Sequence, residues 1–485
     1  MKKHTLFKSI LIVLLAFVIC SFIFPTSEGT VIGENLNRIG IYNIFNAIFI
    51  AFKIFLPYAI YLISVAGLYM VLNKTDVYQN IVNRLSKSLK KKKTFFLILV
   101  TILFSVISSV TNFGIILFII IPLVISILIK LNYDKFICFC STFGAIIVGI
   151  VGSTIGYNIN HNIINIVNNG IKDTNSLLTV YDNIYIKIIL LIISTTLLII
   201  YMLSHIKKVN NNKVKKEEVN DKLLVEKDNL EKRGITLPLI FISIILALIT
   251  LTSIIWGVYK IDIFTKFYEW LNNAKVYNFE IFKNIFGGSL ASGELNGFHE
   301  FGFIYYSDTN LLLSDLSILI ILSTFIISFI YKLKLSEIFT SFKDGIKKVG
   351  NASFLIVFAF SIFLLSFYVP ILNSLIILTA DSFNIITSVL TFVVASILNI
   401  DIALFGNNLV NYVTILSGTS VSKIIEILVQ TIYGFTMFFA PTSVLLILGL
   451  NYLDIKYSSW LKFIFKFLIQ LFILILVVLL ILVII

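Results

Sequence analysis

The chain has 485 residues, of which 58% are hydrophobic and only 13% are charged, and its mean hydropathy is +1.01. Soluble domains carry about 25% charged residues, so this composition excludes a water-soluble fold and predicts an all-α integral membrane protein. The formal net charge is +13, but the basic residues form short clusters between apolar runs. That pattern is typical of membrane-protein loops, and it argues against a nucleic-acid partner.

The apolar runs, taken in chain order, predict about 10 to 12 membrane segments, because a helix needs about 20 apolar residues to cross the hydrocarbon layer. The runs are Phe7–Phe24, Ile48–Leu72, Thr94–Ile129, Phe136–Tyr157, Ile184–Leu203, Leu237–Tyr259, Leu316–Tyr331, Ala352–Leu378, Ser382–Leu416, Ile424–Leu450 and Phe463–Ile485. The first run is longer than the core of a signal peptide and no small-residue cleavage site follows it, so we expect a retained first span. Polar residues interrupt the third run at its middle, which is compatible with two spans or with a re-entrant hairpin.

Basic clusters set the predicted orientation, because short cytoplasmic loops carry an excess of Lys and Arg. The three densest clusters are Arg84–Lys93, Lys207–Arg233 and Lys332–Lys348. We expect these clusters to be cytoplasmic, which places the N-terminus inside. The predicted location is the cytoplasmic (plasma) membrane, which the chain crosses several times.

A polar, charged stretch near the middle of the chain predicts a cytoplasmic linker over residues 205–234. It separates an N-terminal membrane half, residues 1–204, from a C-terminal membrane half, residues 235–485. Each half shows a basic cluster, interrupted apolar runs and a final span in the same order. This order suggests two structural repeats, which are common in secondary transporters.

The first candidate site is the glycine-rich segment Gly144–Asn158. Backbone that leaves the helix at membrane depth must be satisfied by protein or by a water-filled cavity, so interrupted spans point to sites. Opening this helix would direct N–H groups at an anion and carbonyls at a cation. Close helix packing through small residues is the alternative, but the hydroxyls favour binding. The candidate binding residues are Gly152, Ser153, Thr154 and Asn158.

The second candidate site is the segment Gly434–Ser443, where a proline interrupts a long apolar run. Proline removes a backbone donor and frees a carbonyl one turn earlier. A simple kink is the alternative, but hydroxyls directly after the proline favour a polar site. The candidate residues are Thr436, Pro441, Thr442 and Ser443.

Two further polar clusters resemble hairpin tips. Asp401 is a functional candidate if it lies within the membrane, where an ionisable group is costly, and a loop position is equally compatible. Gln430 lies four residues after Glu426 on one helix face, so this pair could line a pathway or join two helices. The tip residues are Ser108, Ser109, Thr111 and Asn112 in the first half and Asn399, Asp401, Asn407 and Asn408 in the second.

Several motifs are absent from the sequence. It has no phosphate-binding glycine loop, no histidines at metal spacing, and no nucleophile elbow. We therefore predict that the protein is not an enzyme and has no catalytic residues, no metal site and no cofactor other than a coupling Na⁺ or H⁺. The expected partners are a small-molecule solute, the lipid bilayer and a second copy in a homodimer.

The C-terminal part of the sequence resembles a known family. Gln430–Thr436 leads into Ala440–Ser443, and Leu450–Phe463 follows. This ending is similar to that of YfcC-type carriers of the ion transporter superfamily, relatives of the four-carbon dicarboxylate carriers. The resemblance implies two repeats, each with a re-entrant hairpin and a broken helix, that hold a solute and a coupling cation near the midplane. It also implies that Ser108–Asn112 is the first hairpin tip.

These observations predict a secondary transporter that moves a small organic solute, a carboxylate or an amino acid, by ion coupling or exchange. The alternatives are a channel, a lipid-handling membrane protein, or a structural membrane subunit without a transport site. Two broken helices that face each other across a pseudo-two-fold axis, at the Pro441 and Gly152 segments, would favour the carrier. Two continuous helices turned toward lipid would exclude it.

Overall fold

The computed structural model describes residues 5–23, 38–156, 159–160, 162–170, 177–217, 309–368, 385–396 and 422–484, with scattered positions between 240 and 297. The described helices are α1 Thr5–Ile23, α2 Ile41–Leu72, α3 Asp76–Leu89, α4 Lys93–Thr111, α5 Ile121–Lys130, α6 Lys135–Phe139, α7 Ala145–Val151, α8 Asn162–Gly170, α9 Ile184–Asn210, α10 Thr309–Ile330, α11 Leu335–Tyr368, α12 Ile385–Ser396, α13 Ser422–Thr436, α14 Val444–Tyr452 and α15 Tyr457–Ile484.

A few short elements accompany these helices. A 3₁₀ turn covers Lys90–Lys92, another covers Ile115–Ile119, and a π-helical turn over Cys140–Gly144 joins α6 to α7. Between α9 and α10 lie two antiparallel pairs of two-residue strands. The strands are β1 Lys275–Val276, β2 Phe279–Glu280, β3 Gly288–Ser289 and β4 Asn296–Gly297.

The helices are those of a membrane protein. In the part of the chain that is described, six helical segments are long and apolar enough to cross a bilayer, and four shorter apolar helices accompany them. Helix α15 is apolar all round, yet only one face is buried, through Trp460, Ile464, Phe467, Leu471, Ile475 and Leu479. Its other face exposes Phe465, Ile469, Ile473 and Val477. Such a helix is stable with lipid against that face, so the predicted all-α membrane class is confirmed.

Helix α11 begins about five helical turns before the apolar run that starts at Ala352. The apolar run starts at Ala352, but α11 already begins at Leu335, so most of the basic cluster Lys332–Lys348 is helical. Lysine is a good helix former, and a charged turn can continue an apolar helix into water. Hydropathy detects the apolar part of a helix and misses such an extension.

Helices α4 and α5 form a hairpin that starts and ends on one side. The Lys93 ammonium, at the start of α4, lies 5.9 Å from the ring centroid of Tyr133, which follows α5. Burial raises the pKa of the Tyr133 phenol, so the ring stays neutral beside the cation. The tip turns at Asn112, whose φ of 54° is left-handed, a conformation that asparagine tolerates better than most residues. The interrupted third run therefore turns back on itself at Asn112.

The descending arm of this hairpin begins with the 3₁₀ turn and not with an α-helix. Two tyrosines of α2 satisfy its carbonyls: the Tyr61 hydroxyl donates to Ile116 O, and the Tyr69 hydroxyl donates to Ile119 O, both over 2.6 Å. Helix α2 thus supports the hairpin where regular helical bonding is lost.

Helix α9 shows how deep the hairpin tip and the end of α7 lie. At one end, His205 of α9 pairs with Asp134 over 2.8 Å, and Asp134 also caps the first turn of α6. Farther along, Leu191 packs against Gly152 at the end of α7. Fourteen residues separate Leu191 from His205, which is about 21 Å of helix. The end of α7 therefore lies well inside a hydrocarbon layer of about 30 Å.

Candidate functional site

The hairpin tip and the end of α7 meet through small polar side chains. Ser109 Oγ donates to Gly152 O over 2.7 Å, and Asn112 Nδ2 donates to Ser153 Oγ over 2.7 Å. The Thr154 amide donates to Ser109 O over 3.0 Å. The structure thus brings together five predicted site residues from two separate sequence segments.

The remaining predicted residues of the first half are placed differently. Ser108 is fully buried and donates to Ile146 O over 2.8 Å, so it fastens α4 to α7. Thr111 donates to Ile107 O of its own helix and accepts from Phe113 N. Asn158 lies outside the described residues. We call residues 152–160, which follow the last turn of α7, the first break.

Glycines on two helices permit the close packing around the first break. A Cβ atom added at Gly152 would lie 2.5 Å from Leu191 Cα, and one added at Gly434 would lie 2.7 Å from Val151 N. Both distances are too short for a side chain. The packing alternative therefore holds for these glycines, alongside the break that follows α7.

Two amides hold the carbonyls of the first break. Gln430 of α13 donates Nε2 to Val151 O over 3.2 Å and to Ser153 O over 2.8 Å. Asn160 donates Nδ2 to Ser153 O over 3.2 Å and to Thr154 O over 2.7 Å. Sequence reasoning missed Asn160, although its place directly after the glycine-rich segment was a usable signal.

A buried ion pair lies one helical turn before Gln430 on α13. Lys187 of α9 contacts Glu426 of α13 over 2.6 Å, and both side chains are fully buried. Asn183 donates to the other carboxylate oxygen over 3.1 Å. Of the two possibilities left open for Glu426 and Gln430, the structure shows that both join elements: Glu426 joins α9, and Gln430 joins the first break. Lys187 was missed, although a lone lysine in an apolar run calls for a buried acidic partner.

The predicted interruption near Pro441 is present, between α13 and α14, and we call residues 437–443 the second break. Trp460 Nε1 donates to Phe438 O over 2.8 Å, and the Tyr457 hydroxyl donates to Phe439 O. These two aromatic side chains of α15 satisfy carbonyls that the ended helix leaves free.

The predicted residues of the second break are all buried. Thr436 donates to Tyr433 O of its own helix over 2.9 Å. Ser443 Oγ has no hydrogen-bond partner among the described residues. The second tip cluster, which comprises Asn399, Asp401, Asn407 and Asn408, lies outside the described residues.

The two broken helices face each other. Gln430 of α13 contacts Ser153, Gly434 of α13 contacts Val151, and Phe438, just after α13, lies beside Gly144, just before α7. The order is reversed between the helices, so α7 and α13 run antiparallel. The structure therefore shows two broken helices in contact, whereas the pseudo-two-fold relation between the halves stays a prediction.

Comparison with known proteins agrees with that architecture. The family model described as DcuC, C4-dicarboxylate anaerobic carrier, matches residues 56–484. No individual curated protein sequence matches the chain.

Two solved structures show similarity to the chain. One is the YdaH transporter of Alcanivorax borkumensis, with 13% identity, coverage of 99% of this chain and 97% of that chain, and a TM-score of 0.37. The other is MtrF of Neisseria gonorrhoeae, described with a class of antimetabolite efflux pumps, with 11% identity, coverage of 97% and 93%, and a TM-score of 0.38. Both TM-scores lie below 0.5.

Proposed function

The chain belongs to the DcuC family of C4-dicarboxylate anaerobic carriers, and from that premise we propose that it is a secondary transporter of a small carboxylate in the cytoplasmic membrane. Four-carbon dicarboxylates are the first candidates for the solute, and amino acids are the second. The solute crosses unchanged, so the protein is not an enzyme. The N-terminus is cytoplasmic, on the side of the basic clusters.

One observation supports the position of the solute site: the hairpin tip and the first break meet at membrane depth through hydroxyls and amides. Polar groups at membrane depth are costly unless they are hydrogen-bonded, and a helix that only anchors the protein in the membrane would not require so many. Ser109, Asn112, Ser153 and Thr154 are all buried within this junction.

Two hydroxyls of the junction are suited to a carboxylate. Ser153 and Thr154 each donate to Ser109 O only over 3.4 Å, at the long limit of a hydrogen bond. A carboxylate oxygen placed beside them would accept much shorter, charge-assisted bonds. These donors can therefore turn from the backbone to the solute at little cost.

Transport then requires that the junction open to each side in turn, by movement of the hairpin and the broken helices around the solute. A gradient of Na⁺ or H⁺, or exchange for a second solute, supplies the driving force. The antiparallel pair of broken helices is consistent with such alternating access.

Counterflow into proteoliposomes tests the proposal. Vesicles loaded with unlabelled succinate, fumarate or aspartate should accumulate the labelled solute, and Ser153→Ala together with Thr154→Val should raise the KM about tenfold. Thr101→Val is the matched control, because Thr101 is fully buried and donates only to Leu97 O of its own helix. Absence of counterflow for every carboxylate and amino acid, with protein present and folded, would reject the function.

A further inference from the structure

The segment Arg84–Lys93, which we call the basic segment, joins α3 to α4 through the 3₁₀ turn. It carries six basic residues and no acidic residue, and all six basic side chains are exposed. Lys93 lies over the ring of Tyr133. The other five basic side chains have no hydrogen bond or ion pair with another described residue. The basic segment therefore presents positive charge that the described part of the protein leaves uncompensated.

The other two basic clusters contain acidic residues. Lys332–Lys348 has five lysines, with Glu337 and Asp344 among them. Asp344 pairs with Lys347 over 2.9 Å, and the Glu337 carboxylate accepts from Lys334 N over 2.8 Å. Residues 207–233 contain nine basic and six acidic residues. Opposite charges within a cluster weaken its attraction for an external anion, so the basic segment is the strongest of the three attractors.

An apolar face begins directly beside the basic segment. Two residues after Lys93, Phe95 of α4 is 63% exposed, and Leu99, Leu103 and Val106 continue the exposed surface on one side of the helix. Such a face is stable with lipid against it. The basic segment lies at the end of this face and therefore at the depth of the phospholipid headgroups.

The spread of the charges favours a lipid surface over a single small anion. The ten residues of the basic segment extend over about 14 Å where they are helical, so one phosphate ion cannot contact all of the charges. A bilayer offers many headgroups side by side, and clusters of four to eight Lys or Arg next to a membrane helix attract its anionic lipids. Lysine and arginine have long apolar stems, so their charged ends can reach headgroups from the helix surface.

The basic segment also contacts the base of the hairpin formed by α4 and α5. The Lys130 ammonium of α5 donates to Asn83 Oδ1, directly before the segment. At the other end of the segment, Lys93 lies 5.9 Å from the ring centroid of Tyr133, which follows α5. A lipid bound to the segment would thus act on both arms of the hairpin.

We propose that the exposed side chains of the basic segment bind the headgroups of anionic phospholipids in the cytoplasmic leaflet and hold the base of the hairpin at the membrane surface. The choice of leaflet rests on the orientation proposed above. The binding itself requires neither a solute nor transport, so it can be tested separately from the carrier function.

Thermal unfolding of the purified full chain in a neutral detergent measures the binding. Phosphatidylglycerol, which is anionic, is titrated in one arm, and phosphatidylcholine with the same acyl chains in the other. A ligand that binds only the folded state raises the Tm with its concentration, so phosphatidylglycerol should raise the Tm more than phosphatidylcholine does. Raising NaCl from about 0.1 M to about 0.5 M should weaken this difference, because salt screens exposed charges.

A third arm separates the lipid from its soluble headgroup. Glycerol phosphate carries the same kind of anionic group without acyl chains and should leave the Tm unchanged at the concentrations that suffice for the lipid. An equal rise with glycerol phosphate would show a site for a soluble anion and would overturn the lipid assignment. An equal rise with both lipids would overturn it as well, because the binding would not depend on headgroup charge.

Charge-neutral variants locate the site. Lys90→Gln/Lys91→Gln/Lys92→Gln should raise the half-maximal phosphatidylglycerol concentration at least about fivefold. The matched control, Lys332→Gln/Lys334→Gln/Lys343→Gln, removes the same number of exposed charges from the other cluster and should stay within about twofold of wild type.

A second variant, Arg84→Gln/Lys87→Gln, changes only exposed side chains of α3 and should also weaken binding. It keeps the test decisive if the triple variant does not fold. The proposal is overturned if the folded basic-segment variants keep the wild-type half-maximal concentration, or if the control variant weakens binding as much as they do.

Discussion

The two breaks in the membrane helices satisfy their freed backbone groups in different ways. In the first break, the carbonyls of Ser153 and Thr154 accept from the amides of Asn160 and Gln430. In the second break, carbonyls accept from the indole and phenol of α15. Small amides and hydroxyls surround one break, and large aromatic side chains enclose the other.

This difference predicts different roles. A serine or an asparagine retains spare acceptor capacity and can change partners when a solute arrives. Trp460 has a single N–H donor, is fully buried, and packs 4.2 Å from the ring of Phe139, measured between centroids. Substitutions at the first break should therefore change solute affinity, whereas those at the second should chiefly change stability.

The largest effect is expected at the ion pair beside the first break. Lys187→Met leaves Glu426 buried without a counterion, which should lower the free energy of unfolding by about 3–5 kcal/mol. Denaturant titration in detergent measures that change. The double variant Lys187→Met/Glu426→Met removes both charges and should recover most of the stability. If the single variant loses less than about 1 kcal/mol, the pair does not anchor α13 to α9.

The next effect concerns the second break. Trp460→Phe leaves Phe438 O without its donor and should cost about 1–3 kcal/mol of stability, while the KM of the folded fraction stays within about twofold of wild type. Tyr201→Phe is the matched control: its hydroxyl donates to Phe463 O, which lies within α15 and keeps a helical partner. A changed KM in Trp460→Phe would show that the second break also contacts the solute.

Local signals made much of the fold predictable. Apolar runs located the membrane helices, and the interruptions at Gly152 and Pro441 were visible because glycine and proline act on their own backbone. The resemblance to a carrier family implied a hairpin tip at Ser108–Asn112, but it did not show that Ser109 contacts Ser153. The charged residues before Ala352 gave no apolar signal, so hydropathy did not show that α11 already begins at Leu335.

Long-range partners could not be predicted from the sequence. Lys187 and Glu426 are separated by 239 positions, and no pattern along the chain shows that their helices touch. The position of Asn160 just after the glycine-rich segment was a usable signal, but the sequence does not show which carbonyls it contacts. Its role appears only when both of its donor contacts to the first break are known.

A tenfold effect on affinity is expected at the hairpin tip. Asn112→Ala removes the bond to Ser153 Oγ and the bond that Asn112 Oδ1 accepts from Ile159 N, so the first break is positioned less well. The KM for counterflow should rise about tenfold, which corresponds to about 1.4 kcal/mol. Ser105→Ala is the control, because Ser105 lies about two turns earlier, is also buried, and is bonded only to Thr101 O of α4. Equal KM values for the two variants would contradict a solute site at the tip.

The smallest effect tests the one feature that the second break shares with the first. Ser443 Oγ is buried without a partner among the described residues, so this hydroxyl can donate a hydrogen bond to a solute. Ser443→Ala should not lower stability, because the removed group made no bond, and it should raise the KM only about two- to threefold, as expected for one added contact. Ser361→Ala on α11, which loses only the bond to Phe358 O of its own helix, should leave the KM unchanged. A tenfold rise in the KM of Ser443→Ala would show that the second break contributes as much to solute binding as the first. An unchanged KM would show that the solute contacts only the first break.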